Sequence, residues 1–307
     1  MQTRQNLIAE WICKQRYIHR SIRELLIKII SPDFNDGHIF ETDFFGLVWP
    51  GTTSNYIDYQ VLLRGAYEKF MLFFMRDVVT SMLKTDVVFL DVGANIGNHS
   101  LFMSKYASII HAFEPYEPVR DILKKKINLN QINNVIVHPV GLSNKREIVD
   151  FYPPSVSNLG TGSFKEKYYA DNKQTAIPLE VVIGDDEISA HNIHNISLIK
   201  IDVEGHERQV IGGLRQTIDS HRPVVIFESS SATRDALGTF EGMTSLFPDQ
   251  YLFYIFSTKN KKTGRYKLTQ LTTMHSLDSN EIIAFPREKQ FPILNRTVID
   301  QGVVGGG

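Results

Sequence analysis

The chain of 307 residues carries 33 basic and 34 acidic side chains, a formal net charge of −1, so its overall balance offers no footprint for nucleic acid. Hydrophobic residues at 42% and charged residues at 22% match a soluble globular protein with core enough for one large α/β domain and an appendage. The single cysteine, Cys13, excludes an intrachain disulfide; no apolar run reaches membrane-spanning length and no secretory-type leader is seen, so a cytoplasmic location is expected.

Residues 6–30, NLIAEWICKQRYIHRSIRELLIKII, have the periodicity of one amphipathic helix, with Leu7, Ile8, Trp11, Ile12, Ile18, Ile22, Leu25, Leu26 and Ile29 recurring at three- and four-residue steps. Lys14, Arg16, Arg20, Arg23 and Lys28 lie on its other face. The stripe is expected to pack on the body of the protein; peripheral contact with an anionic membrane surface is the alternative reading. Ser31-Pro32 ends the helix. Residues 37–62 alternate and read as short strands joined by the PGTTSN turn, and GAYEKFMLFFMRDVVTSML reads as a further helix. Residues 1–85 are thus expected to form an N-terminal helix and a small α/β cap. Their aromatics Phe44, Phe45, Trp49, Tyr56 and Tyr59 suit either the core of that cap or a platform on which a sugar stacks.

From Val87 the pattern becomes strand and helix in alternation. The expected strands are Val87–Asp91, Ile109–Phe113, Val135–Val140, Leu198–Asp202 and Val224–Glu228, with helices at Asn98–Tyr106, Glu117–Asn130 and His206–Ser220. Runs such as VVFLD, SLIKID and PVVIFE are apolar on both faces, as a sheet covered on both sides requires. The expected fold class is α/β: a doubly wound, mostly parallel sheet. Residues 141–184 are too long for a simple connection and read as a β-rich insertion with SNLGTGSF at its tip. YLFYIFS and EIIAF offer two later strands, TKNKKTGRYK a basic turn between them, and residues 291–307 a tail.

Ligands of open α/β sheets bind beyond the carboxyl ends of the strands. Here those ends are Asp91 followed by Gly93-Ala94-Asn95-Ile96-Gly97, Glu114-Pro115, Asp202-Val203-Glu204-Gly205 and Glu228. A pyrophosphate fits poorly among so many anions. The turn also lacks the Lys-Ser/Thr of a phosphate loop, and Asn95 replaces the second glycine of the dinucleotide spacing. S-adenosylmethionine, cationic at sulfur and at its amine and free of phosphate, suits such a crescent. Glu114 is placed to accept from its ribose hydroxyls, or to cap the following helix. Lys200, buried in LIKID, is expected to pair with Asp202 or Glu228 or to reach the pocket rim. His99 and His111 read as packing residues, and no Cys/His spacing suggests zinc.

FLDVGANIGNHSLF, HAFEPYEPVRDILKKKINLN, VGLSN, GTGSF and SLIKIDVEGHERQVIGG fall in the order and spacing of FkbM-type methyltransferases. The chain resembles that family over roughly residues 40–230, and GAYE upstream matches a segment that the family places before its first strand. The resemblance implies a Rossmann-like methyltransferase fold for residues 86–290, S-adenosylmethionine as cofactor, and an O-methyl ether as product. It implies sugars, glycolipids or polyketide hydroxyls as acceptors; a nucleic-acid target is not expected, because no NPPY-like tetrapeptide follows the fourth strand to grip a flipped base. By position, Asp91, Gly93, Asn95, Gly97, Asn98, Glu114 and Pro115 look like the cofactor cradle, and Asn128, Gly141 and Leu142 like its adenine side. Tyr67 and Glu68 would close over the methionine end, and Asp202, Glu204 and Gly205 lie beside the transferred methyl.

An alcohol acceptor needs a general base or a metal ion. His206 is the first candidate base, with a surface-helix histidine as its plainer reading. Asp202 and Glu204 are alternatives, as bases or as ligands of a hard cation such as Mg²⁺. An N-methyltransferase and an inactive cofactor-binding scaffold are the competing functions.

Overall fold

The computed structural model describes residues 2–81, 86–153, 175–229, 237–273 and 281–289. Residues 6–30 are not one helix. α1 (Gln2–Lys14) and α2 (Arg20–Ile30) are separate and fold back on each other, with Ser31 Oγ donating to Asn6 Oδ1. Arg23, read from the sequence as a cation on the polar face, ties this reversal together. Its guanidinium is buried and donates to the carbonyls of Cys13 and, at 2.8 Å, Leu63. Both carbonyls lie in last helical turns, which lack intrahelical donors, so one buried cation joins α1, α2 and the next helix. The reversal also divides the apolar stripe. Ala9, Ile12, Cys13 and Ile27 point inward, whereas Leu7, Ile8, Trp11, Ile22, Leu25 and Ile29 stay exposed, so the stripe does not pack on the body as expected.

β1 (Ile39–Phe44) and β2 (Leu47–Thr52) form an antiparallel hairpin closed by Phe45 and Gly46, both at positive φ. This is the two-residue turn whose twist suits a hairpin. PGTTSN is therefore not the hairpin turn: it leads from β2 to Asn55, whose side chain caps α3 (Tyr56–Arg64) by accepting from Asp58 N–H at 3.0 Å. α4 (Lys69–Ser81) follows. Phe44 and Trp49 are fully buried, so the cap aromatics are chiefly core. Trp49 Nε1 donates to Asp58 Oδ1 at 2.8 Å, and buried Lys126 donates to the same oxygen at 3.2 Å while lying 3.4 Å from the indole centroid. Phe34, Trp49 and Phe70 share one hydrophobic core with Phe89, Ile110 and Phe285 of the main sheet.

The sheet begins with β3 (Val88–Val92), α5 (Asn98–Met103), β4 (Ile109–Phe113), α6 (Glu117–Leu129) and β5 (Val135–His138). The insertion supplies β6 (Gly141–Ser143), β7 (Glu147–Phe151) and β8 (Ile177–Ile183), a small separate sheet with β8 in the middle. Its expected tip, SNLGTGSF, and the tail 291–307 lie outside the described residues. After α7 (Gly184–Ala190), β9 (Ile196–Ile201) returns to the main sheet. The helix expected at His206–Ser220 is broken at Leu214 (φ −103, ψ 19) into α8 (Glu207–Gly213) and α9 (Arg215–His221), and Gly213 lies against the Ser143 carbonyl, where a Cβ would collide. β10 (Val224–Phe227), β11 (Tyr251–Lys259), β12 (Tyr266–Gln270) and β13 (Ile282–Pro286) complete the sheet.

Among the described residues the strand order is β12-β11-β13-β10-β9-β3-β4-β5. β5, β4, β3, β9 and β10 are parallel, and β13 enters antiparallel between β10 and β11. The order reverses between β3 and β9, which makes their carboxyl ends the switch point. Because β13 runs backwards, its leading residue Glu281 arrives at that same edge, as does Lys259 at the end of β11. Alternate residues feed two cores: Phe89 and Ile226 face one side, Leu90 and Val225 the other.

Candidate active site

Two cavities meet at the switch point and share Gly93, Asn95, Asp202 and Glu204. Gly93 has φ +81, and a Cβ there would collide with the Asp202 carbonyl oxygen, so glycine is what lets β3 and β9 close together. Gly97, at φ +94, packs against Leu123 and Leu101 and begins α5 tight to α6. Asn95 also adopts positive φ, a conformation asparagine tolerates, and its side chain accepts from Ile96 N–H at 2.7 Å.

The first lobe has Phe113, Val119, Leu142, Phe151, Val181 and Val203 on its walls, with Glu114 at one end and the shared Asp202 and Glu204 at the junction. Asn95 N–H donates to Glu114 Oε2 at 2.9 Å and Tyr116 N–H to Oε1 at 3.0 Å. Each oxygen keeps lone pairs for a further donor. Burial raises the Glu114 carboxyl to about 7, against these two backbone hydrogen bonds. Pro115, Gly141 and Leu142 line this lobe as expected. An apolar slot with Glu114 at one end fits an adenine and its ribose diol.

The second lobe is polar. Tyr67, Glu68, Asn98, His99, Asp202, Glu204, Glu228 and Glu281 line it, with Lys200 below. Lys200 Nζ sits 3.1 Å from Asp202 Oδ2 and 4.0 Å from Asp91 Oδ1, as the sequence required of a buried lysine. Burial alone would lower its pKa; Asp202, Asp91 and Glu68 outweigh that and hold it above the usual lysine value. Oxygens of Asp202, Glu204 and Glu228 lie within 4.8 Å of one another. Among the described residues, Glu228 Oε2 and Asn98 Oδ1 are buried with no hydrogen-bond partner. Unsatisfied acceptors in an acidic lobe fit a cationic sulfur and amine. A third cavity adjoins the second lobe at Tyr56, Tyr67, Glu68 and Glu281, and carries Arg64, Lys259 and Lys261 on its walls.

The methyltransferase FkbM domain, as a family model, matches residues 91–255, more than half of the chain. The chain belongs to the FkbM methyltransferase family. Among curated relatives, the hexuronic acid methyltransferase AglP of Haloferax volcanii is 27% identical over 154 residues, 49% of this chain and 61% of that protein. The 2-O-methyltransferase NoeI of Sinorhizobium fredii is 26% identical over 164 residues, 48% of this chain and 65% of that protein. The chain therefore spans under two thirds of the length of these relatives. A solved structure, methyltransferase FkbM from Methylobacillus flagellatus, is 15% identical with a TM-score of 0.42, covering 91% of this chain and 59% of that one.

Several residues read from the FkbM pattern stand elsewhere than expected. Asp91 lines neither lobe: it is wholly buried behind the turn, accepts from Ser100 Oγ at 2.6 Å and faces Lys200. Asn128 is exposed near the end of α6, about 16 Å along the helix from the cleft end, and does not reach the adenine side. The cause is helical phase: Ile127 faces inward, so the next residue turns out. His206 lines the first lobe, buried, with Nε2 3.0 Å from Ser143 Oγ, and so sits apart from the carboxylate lobe. Glu228 joins the second lobe as a strand-end acid, as the sequence placed it, whereas Glu281 was not expected there. EIIAF marks a strand led by Glu281, but only its antiparallel pairing with β10 brings that acid to the site. Of the five cap aromatics named from the sequence, Tyr56 lines the cleft, its ring 6.0 Å from that of Tyr67, which lines it too.

Crowding perturbs the carboxylates. Burial, then Asp202 and neighbouring glutamates, raises Glu204 to about 9 and Glu228 to about 8; burial and Asp202 raise Glu68 to about 7. The folded protein thus retains protons that the unfolded chain releases near the ordinary value of 4.5. The stability contributed by these groups is fullest below about pH 4.5 and is lost as pH rises towards about 9. Thermal melts of the ligand-free chain should show this decline, and Glu204→Gln should flatten it; an unchanged slope contradicts the assignment. Glu114→Ala tests the other lobe. A hydrogen bond to a charged acceptor is worth about 1.5–3 kcal/mol, so the Kd for S-adenosylmethionine should rise about 10- to 150-fold. Water from the cleft can satisfy the two freed N–H groups, so the melting temperature should move little. Wild-type affinity would refute the role.

Proposed function

We propose that this chain is an S-adenosylmethionine-dependent O-methyltransferase whose acceptor is a hydroxyl of a sugar or glycan-bearing molecule. The observation that carries the reading is one continuous cleft at the switch point, with an apolar lobe ending in Glu114 joined to a carboxylate lobe at Gly93. The printed names of the relatives, a hexuronic acid methyltransferase and a 2-O-methyltransferase, support the sugar acceptor. When bound, the cofactor supplies a methyl carbon made electrophilic by a cationic sulfur.

The chain's own residues do the rest. Glu114 receives the ribose hydroxyls, and Gly141 and Leu142 floor the adenine slot. Lys200 fixes Asp202, leaving its carboxylate at the junction of the lobes. Tyr67 and Glu68 stand over the second lobe, held where Asn98 Nδ2 donates to the Tyr67 carbonyl at 3.2 Å. Glu204 is the base: the acceptor oxygen would take the methyl group as its bond to sulfur breaks, the electron pair of that bond staying on sulfur as a neutral thioether, and the acceptor's proton passes to this carboxylate. His206 then positions the adenosine lobe through Ser143. In-line geometry and exclusion of water supply most of the acceleration.

The test is incubation with methyl-labelled cofactor and a glycan-enriched extract, with and without a chelator, followed by mass spectrometry. Label in an ether on a sugar ring supports the proposal; loss of label with the chelator would add Mg²⁺ on Asp202, Glu204 and Glu228. Label on nitrogen, or cofactor binding without any transfer, would favour the N-methyltransferase or the inactive scaffold.

A further inference from the structure

The α1–α2 hairpin leaves an apolar face uncovered. Leu7, Ile8 and Trp11 on α1 and Ile22, Leu25 and Ile29 on α2 recur at helical steps and are about half exposed or more, with Trp11 at 60% and Ile29 at 68%. Isolated exposed apolar residues are ordinary; two rows of them on one hairpin mark an interaction surface. The charge around them is one-sided. Between Gln2 and Ile30 stand six basic residues and two acids. Both acids are already engaged: Glu10 with Lys14 at 2.7 Å and His38 at 2.8 Å, Glu24 with Arg20 at 2.7 Å. Arg4 and Lys28 remain exposed beside the apolar rows.

We infer that this hairpin is a docking surface for a bilayer with anionic headgroups. A second copy of the chain fits less well, because a two-fold interface sets the same patch against itself and would bring these cations face to face. Apolar rows flanked by lysine and arginine are what an interfacial helix presents to lipid. The hairpin is also fixed to the segment that walls the third cavity. Arg23 binds the Leu63 carbonyl and the Arg16 guanidinium covers Gly65, while Arg64 and Ala66 line that cavity. Docking would therefore set the cleft mouth at headgroup level, where a lipid-carried glycan presents its hydroxyls. That last step rests on the proposed function; the docking itself does not.

Trp11 reports on the surface directly, since the other tryptophan, Trp49, is fully buried. The full chain is mixed with phosphatidylcholine vesicles with and without phosphatidylglycerol, and co-sedimentation and tryptophan emission are read. Expected are binding to the phosphatidylglycerol vesicles, a blue shift of Trp11, and weakening by added salt. Leu7→Ser with Leu25→Ser, both at exposed positions, should weaken partitioning about tenfold while leaving S-adenosylmethionine affinity unchanged. Absence of vesicle binding, vesicle binding that survives the double substitution, or a stable dimer in which Trp11 is already shielded would each overturn the inference. Cofactor affinity, measured alongside, separates such a failure from a failure of the methyltransferase reading.

Discussion

Glu204→Gln is expected to slow methyl transfer into a given glycan extract by about 10²–10⁴-fold, the usual contribution of a positioned general base. Glu204 stands at the junction of both lobes, at positive φ, directly after Asp202 and Val203. Its carboxyl, raised to about 9 by burial and by Asp202, Glu228 and Glu207, is a stronger base than an ordinary glutamate. A cationic sulfur nearby favours the ionised form, which brings the group towards neutral pH when it is needed. The substitution has a second signature. Removing one member of the crowded cluster should stabilise the ligand-free protein above neutral pH while activity falls. His206→Asn should behave differently, raising the KM for cofactor with kcat within a few-fold. A Glu204→Gln protein of near-normal rate, or a His206→Asn protein that loses kcat with its pH profile, would move the base to the first lobe.

Asp58→Ala is expected to cost about 3–5 kcal/mol of folding stability, read from denaturant midpoints, because it strands a buried cation. Asp58 receives Trp49 Nε1–H at 2.8 Å, Thr52 N–H at 3.2 Å and the Lys126 ammonium at 3.2 Å. Lys126 is fully buried, and burial lowers its pKa to about 8 even with Asp58 beside it. Loss of the carboxylate leaves the indole N–H and the ammonium without that acceptor in a dry site. Adding Lys126→Met to Asp58→Ala should recover part of the loss, since an apolar side chain of similar length needs no counter-ion. A loss below about 1 kcal/mol, or no recovery in the double variant, would show that this knot does not join the cap to α6.

Much of the sheet was readable because a doubly covered parallel strand must be apolar on both faces, and VVFLD, SLIKID and PVVIFE are. The acidic strand ends were equally plain, since carboxylates following buried strands have few other reasons to be there. Tertiary partners hid the rest. Arg23 looked like a surface cation until two helix-end carbonyls were found around it. Asn128 matched by spacing, yet one step of helical phase turns it to solvent. Asp91 precedes the glycine turn but points behind it, to Ser100 and Lys200. Glu281 reaches the site only because β13 runs against its neighbours, an orientation no local pattern records.

Calorimetric titration with S-adenosylmethionine, its demethylated product and a dinucleotide is the most direct measurement of the central claim. The cleft is predicted to take the first two at one site per chain, with protons released as the cationic ligand ionises the raised carboxyls, and to ignore the dinucleotide. Tight binding of the phosphate-bearing compound, or none by the sulfonium nucleoside, would contradict it.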